Sequence, residues 1–296
     1  NRFAAYISDL TAWIGLQCVN KYAIGRIKKC TADSGKGVTD AKIAELLSKF
    51  PVGERPTHLA VILDHSSETF RNALYDAYKA NRSEPPEELR PQFKLIRDAV
   101  RAFDVPCIEQ QNFEADDIIA TYARLASEAG ATTTIVSSDK DLMQLVGNGV
   151  TLYDTMKDKR IGRDEVMEKF GVGPEKVGDV LALMGDTADN VPGIAGIGPK
   201  TASKLITEYG DLESALAAAS SMKPSKMRDN LVEQADMARL SKILVTLKDD
   251  CPLPIALDDL ELRPIPEGPL RPFLEEHGFR GLLNRIGKTS DTAAAN

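Results

Sequence analysis

The chain has 296 residues, 43% hydrophobic and 27% charged, a composition that excludes a disordered or fibrous chain and supports a buried core in one large domain or in a larger and a smaller one. A formal net charge of −7 provides no global attraction to a polyanion, so any nucleic-acid binding must come from local charge arrangement. The four cysteines, Cys18, Cys30, Cys107 and Cys251, show neither CxxC spacing nor a disulfide framework and fit a reducing cytoplasm, and the apolar stretch 3–19, broken by Asp9, is too short to span a bilayer.

In chain order, strands and helices alternate from Thr57 onward. An apolar run over 58–63 predicts a buried strand ending on Asp64. A helix is expected over 69–80, a Pro-containing connector over 83–89, a helix over 91–103 and a short strand over 105–109. The next helix starts near Glu114, a β-branched strand over 132–136 leads into Asp139, and residues 150–153 form one more strand. This alternation predicts an α/β fold over 1–162, with a mostly parallel central sheet flanked by helices. Beyond about Arg163 strands nearly vanish. Helical segments over 174–184, 199–209 and 236–247 predict a helical domain over 163–288, and 289–296 reads as a disordered tail.

Carboxylates punctuate these elements. Asp64 closes a strand, Glu114, Asp116 and Asp117 open a helix, Asp139 and Asp141 follow another strand, and Asp186 and Asp189 lie in GDTADN after a helical run. Acids in a first helical turn also serve as caps, which explains 114–117 and 139–141 equally well when each is taken alone. In a parallel sheet, however, strand ends share one edge, and acids distant in sequence converge there. Their mutual repulsion calls for cations. Oxygen ligands suit Mg²⁺ or Mn²⁺, whereas zinc would recruit His or Cys, and His58, His65 and His277 lack ligand spacing. Two such ions can activate water against a phosphodiester. The carboxylates alone would equally suit a Mg²⁺-dependent phosphatase.

VPGIAGIGPKTA, over 191–202, favours nucleic acid. Gly193, Gly196 and Gly198 form a tight connection between helices, Pro199 opens the second, and Lys200 and Thr201 add donors, with Lys204 one turn on. This is a helix-hairpin-helix pattern, whose main-chain N–H groups bind consecutive phosphates without reading bases. The bland alternative is an αα-hairpin with closely packed helices. Upstream, TFRNALYDAYKANR interleaves Arg71, Lys79 and Arg82 with Phe70, Tyr75 and Tyr78, which suits phosphate holding and base stacking or, more simply, an amphipathic helix.

Together, VILDHSSETFRNALYDAYKANR, FEADDIIA, SSDKDLMQLV and LALMGDTADNVPGIAGIGPKTA resemble the 5′-nuclease domains of bacterial DNA polymerase I, members of the flap-endonuclease family, over roughly 55–288. The resemblance implies a PIN-like fold and two or more Mg²⁺ or Mn²⁺ sites held by Asp64, Glu114, Asp116, Asp117, Asp139, Asp141, Asp186 and Asp189. It implies a helical arch in which Arg71, Lys79 and Arg82 handle the 5′ strand, Lys79 and Arg82 close to the chemistry, and a K⁺ ion at the hairpin. It further implies cutting of 5′-flap or nicked DNA and of RNA primers on DNA in replication and repair, by a cytoplasmic, nucleoid-associated monomer followed by a polymerase domain.

The front of the chain departs from this pattern. The family opens with an apolar strand ending in Asp-Gly, which supplies another metal ligand, and residues 1–45 lack that motif. Asp9 is the substitute the sequence offers, and a fragment or a diverged front both fit a chain opening on Asn1. Without that acid the rival reading is a junction-binding module impaired in cleavage.

Overall fold

The computed structural model describes residues 56–284 and, as backbone, the strand at 23–26. The expectations for Asp9, the apolar stretch 3–19, Cys18, Cys30 and the tail 289–296 lie outside the described residues.

A six-stranded sheet forms the centre, in the order β3-β2-β1-β4-β5-β6. Its strands are β1 (Ala23–Arg26), β2 (Leu59–Ile62), β3 (Cys107–Ile108), β4 (Thr133–Val136), β5 (Val150–Asp154) and β6 (Lys159–Ile161). The first five run parallel, and β6 returns antiparallel beside β5. The α/β expectation therefore holds. Strands β1 and β6 were not anticipated: AIGR and KRI carry too little apolar alternation to announce themselves. Strand β1 lies between β2 and β4, with Ile24 opposite Ala60 on one side and Ile135 on the other.

Period-two alternation sends neighbouring residues to opposite faces. Ala60 and Ile62 join a core with Ile118, Ile135 and Leu152 that continues through Val180 and Leu181 to Ile206 and Leu231. Leu59 and Val61 face a second core with Ile96, Val100, Phe103, Leu270 and Leu274. Helix α2 (Arg90–Ala102) covers that second face, and α3 (Ala115–Glu128), almost entirely buried, covers the first.

The helix expected over 69–80 stops early. Only α1 (Phe70–Leu74) forms, capped by Thr69 and ended at Tyr75, whose φ is −151°. The chain then turns, with Lys79 at φ 58°. Three contacts hold this turn against a distant loop: Lys79 N–H donates to Asp189 O at 2.9 Å, Asn81 Nδ2 to Thr187 O at 2.7 Å and Asn190 Nδ2 to Ala77 O at 2.6 Å. Tertiary hydrogen bonds override a modest helix propensity here.

Helices dominate from Arg163 onward: α4 (Arg163–Phe170), α5 (Val177–Met184), α6 (Pro199–Tyr209), α7 (Leu212–Ala218), α8 (Lys226–Glu233), α9 (Ala235–Val245) and α10 (Glu267–Glu276). The last of these returns to the sheet. Leu270 and Leu274 of α10 pack with Ile96 and Val100 of α2, and Leu262 N–H donates to Thr57 O at 2.8 Å. No helix among the described residues is long and apolar enough to cross a membrane.

Candidate metal centre and nucleic-acid interface

Parallel strands bring their carboxyl ends to one edge, and the acidic side chains gather there. Asp64 follows β2, and its Oδ1 accepts the Ala115 N–H at 2.9 Å, seating the start of α3. Asp139 follows β4; its N–H donates to Ser137 Oγ at 3.0 Å and its Oδ1 accepts the Asp141 N–H at 3.1 Å. That pair of bonds fixes the turn, so Asp141 opens a short 3-10 helix (Asp141–Leu145) at a set position. Asp186 and Asp189 arrive from the loop after α5, where Asp186 and Val191 exchange backbone hydrogen bonds at 3.0 and 2.8 Å.

Asp141, Asp186 and Asp189 each offer a carboxylate oxygen within 4.8 Å of the others. The cleft they line is shared with Glu114, Asp116 and Tyr78. Burial first, then the charge of Asp139, pushes the Asp141 carboxyl up to about 7. Its Oδ1 is buried and accepts no hydrogen bond. A buried carboxylate oxygen without a donor is costly in a purely structural cluster and fits one awaiting a cation.

Cationic side chains pair with the acids of this cleft. Lys79 Nζ lies 2.5 Å from Glu114 Oε1 and 3.6 Å from Asp189 Oδ2, and Arg82 pairs with Asp189. Lys140 Nζ lies 2.5 Å from Asp186 Oδ2. Lys140 was missed in the sequence, although its place between Asp139 and Asp141 was the available signal. Tyr78 was expected as a stacking platform. It is buried, with its hydroxyl 3.4 Å from both Glu114 Oε2 and Asp189 Oδ2, and burial followed by those two charges holds the phenol above its ordinary range.

Arg71 and Asp117, expected as a phosphate contact and a metal ligand, meet each other in the structure. Arg71 is 1% exposed and does not reach a surface strand. Its Nη1 and Nη2 donate to Asp117 Oδ2 and Oδ1, both at 2.7 Å, while Nε donates to Leu244 O at 2.8 Å and Nη2 also to Thr246 O at 3.0 Å. Burial opposes the charge, but the hydrogen bonds and charge of Asp117 hold the guanidinium above its ordinary range. Asp117 also accepts the N–H groups of Glu114 at 3.0 Å and Lys248 at 2.9 Å. With four donors on two oxygens it is satisfied without a metal, and it braces the start of α3 against the end of α9.

The hairpin joins α5 to α6 over 185–198. Gly193, expected to bind phosphate, is buried, and its N–H donates to Ser241 Oγ at 3.0 Å. A Cβ there would sit 2.3 Å from Gly185 N. Gly196, Gly198 and Lys200 are exposed and Thr201 is half-buried. Gly198 and Pro199 begin α6 with no side-chain cap, which leaves the first-turn N–H groups without a side-chain acceptor.

Comparison with known proteins gives the family and the fold. Residues 22–171 match the family of the 5′-3′ exonuclease N-terminal resolvase-like domain, and 172–267 match the 5′-3′ exonuclease C-terminal SAM fold. The likeness thus starts ahead of Arg55. DNA polymerase I of Rhizobium leguminosarum is 58% identical over 244 residues, covering 82% of this chain and 24% of that protein. DNA polymerase I of Bacillus caldotenax is 37% identical over 249 residues, covering 83% and 28%. The chain spans about a quarter of the length of these relatives. Among solved structures, T5 5′-exonuclease with bound zinc ions aligns with a TM-score of 0.60 at 24% identity, over 65% of this chain and 75% of that one. The bacteriophage T5 D15 flap endonuclease with DNA and metal ions aligns at 0.62 and 21%, over 77% and 90%, and the Rad2 catalytic core with DNA substrate at 0.52 and 15%, over 88% and 89%. At such identities these likenesses concern the fold. The two consecutive family matches, and a relative 58% identical over 244 aligned residues, establish that the chain belongs to the 5′-3′ exonuclease family and carries both the resolvase-like and the SAM-fold parts.

Proposed function

We propose that the chain hydrolyses phosphodiesters next to single-strand/double-strand junctions, as a 5′-3′ exonuclease and flap endonuclease dependent on Mg²⁺ or Mn²⁺. The observation that carries this reading is the convergence of Asp141, Asp186 and Asp189 within 4.8 Å. Glu114 and Asp116 share their cleft, and Asp64 and Asp139 flank it as further ligands. The donors are all carboxylates, which suits hard divalent ions. When bound, such ions supply an activated water and stabilise the charge of the attacking and leaving oxygens. The protein's own contribution is positioning. Lys79 and Arg82 bracket the cleft where a phosphate would enter, and Tyr78 keeps a proton to donate to the carboxylates. Gly196, Gly198, Lys200 and Thr201 hold the duplex backbone without regard to sequence, a site at which K⁺ can join main-chain oxygens and phosphate.

The substrates that follow are 5′-flap or nicked DNA and RNA primers on DNA, cut by a cytoplasmic, nucleoid-associated monomer; the name DNA polymerase I carried by the relatives supports a polymerase domain joined to this part. A second reading, binding of junctions without efficient cleavage, is favoured by one observation: β1, at the centre of the sheet, reads AIGR, with no acid among its four residues.

Incubating a 5′-flap duplex with the chain and Mg²⁺ separates the two. Cleavage near the junction, abolished by EDTA, supports the nuclease. Salt-sensitive junction binding without cleavage supports the second reading.

A further inference from the structure

Lys140 sits between two acids, Asp139 and Asp141, in a turn whose backbone is fixed by the Ser137 and Asp139 hydrogen bonds. Its side chain crosses to a third acid from a distant loop. Nζ donates to Asp186 Oδ2 at 2.5 Å and lies 3.8 Å from Asp141 Oδ1. Those are two of the three carboxylates whose oxygens converge. The Lys140 side chain is 29% exposed, which gives its ammonium a path toward solvent, whereas that of Asp186 is 9% exposed. Lys79 differs: it is 12% exposed and held between Glu114 and Asp189.

This geometry makes the ammonium and a divalent ion competitors. Both need the Asp186 oxygen, and two cations within about 4 Å repel by several kcal/mol at the effective dielectric of a protein surface. A flexible four-carbon stem on a rigid turn allows the ammonium to leave without any change of backbone.

We propose that Lys140 is an exchangeable counter-cation of the metal centre, bound to Asp186 when no metal is present and displaced from it on metal loading, so that it sets the Mg²⁺ concentration at which the centre fills. This rests on the metal-dependent reading above. The ion pair offsets the repulsion among Asp141, Asp186 and Asp189 in the metal-free chain, and its loss is part of the cost of binding the ion.

The test is a Mg²⁺ titration of the thermal midpoint of the full chain without DNA, in wild type, Lys140→Met and Lys140→Arg. Lys140→Met should reach half-maximal stabilisation at about fivefold lower Mg²⁺ or less, because a competing charge has been removed, while Lys140→Arg stays near wild type. An unchanged or higher midpoint for a folded Lys140→Met overturns the exchange. If wild type itself shows no Mg²⁺-dependent rise, the metal reading fails along with it.

A second measurement needs no variant. Amine labelling of wild type, read by mass spectrometry, should show Lys140 protected in EDTA and about threefold or more reactive in Mg²⁺, as an ion-paired ammonium becomes free. Equal or lower reactivity in Mg²⁺ also overturns the proposal.

Discussion

Arg71 and Asp117 form a two-point ion pair, 2.7 Å on each arm, with side chains 1% and 0% exposed. The guanidinium's remaining hydrogen bonds go to Leu244 O and Thr246 O at the end of α9, and the carboxylate accepts the N–H groups of Glu114 and Lys248. One buried pair thus ties the acid-bearing start of α3 to the helical part of the chain.

Asp117→Ala should act first on stability. Removing one partner leaves a buried guanidinium uncompensated, a loss of about 3–5 kcal/mol. Urea denaturation measures it, and a change below about 1 kcal/mol would show that the pair is not the brace described.

Asp186→Ala should act on chemistry instead. Cleavage of a 5′-flap duplex in Mg²⁺ should fall about 100-fold or more, with junction affinity in Ca²⁺ largely intact, because the transition state and not the backbone contacts loses its support. Parallel loss of affinity and cleavage would contradict the assignment.

Asp141 links the centre to pH. Its carboxyl, raised to about 7, disfavours the ionised form in the folded chain. In EDTA its stability contribution should be complete below the ordinary carboxylate range of about pH 4 and lost as pH rises through about 7. Mg²⁺ binds the ionised form, so the Mg²⁺-induced rise in Tm should be larger at about pH 8 than at about pH 6. Calorimetry giving equal increments at both would refute this.

Lys200→Ala should weaken duplex binding evenly across sequences and reduce the slope of log affinity against log salt by about 0.9, one phosphate contact. Fluorescence anisotropy over a salt series on two unrelated duplexes checks both parts. An effect confined to one duplex would remove Lys200 from the backbone-binding role.

Gly193→Ala tests the packing of the hairpin. The added Cβ would meet backbone at 2.3 Å, at a φ of +60° that strains any L side chain. A loss of about 1–3 kcal/mol is expected in thermal unfolding, whereas Gly198→Ala, with open space around it, should cost less. Equal losses would point to the glycines acting by backbone freedom alone.

Much of this was legible beforehand. The apolar runs ending in Asp64 and Asp139 stand out because a buried parallel strand needs a continuous hydrophobic stretch and its carboxyl end opens onto the ligand edge. The start of α6 at Pro199 was readable because Gly-Pro marks a helix opening locally. Strand β1 was not readable. It is a short strand with Gly25 in it, and its pairing is supplied by β2 and β4 on either side.

What the amino-acid order determined was therefore the periodic and the local: the alternation of strand and helix, the spacing of acids along it, and the hairpin between α5 and α6. What only the tertiary structure decided was which charges meet. It turned Arg71 from a phosphate contact into the partner of Asp117, 46 positions away, and brought Lys140 to Asp186 across the same separation. Periodicity is written into neighbouring residues, but an ion pair depends on distance in space, which folding sets by burying apolar faces that carry no information about the charges they bring together.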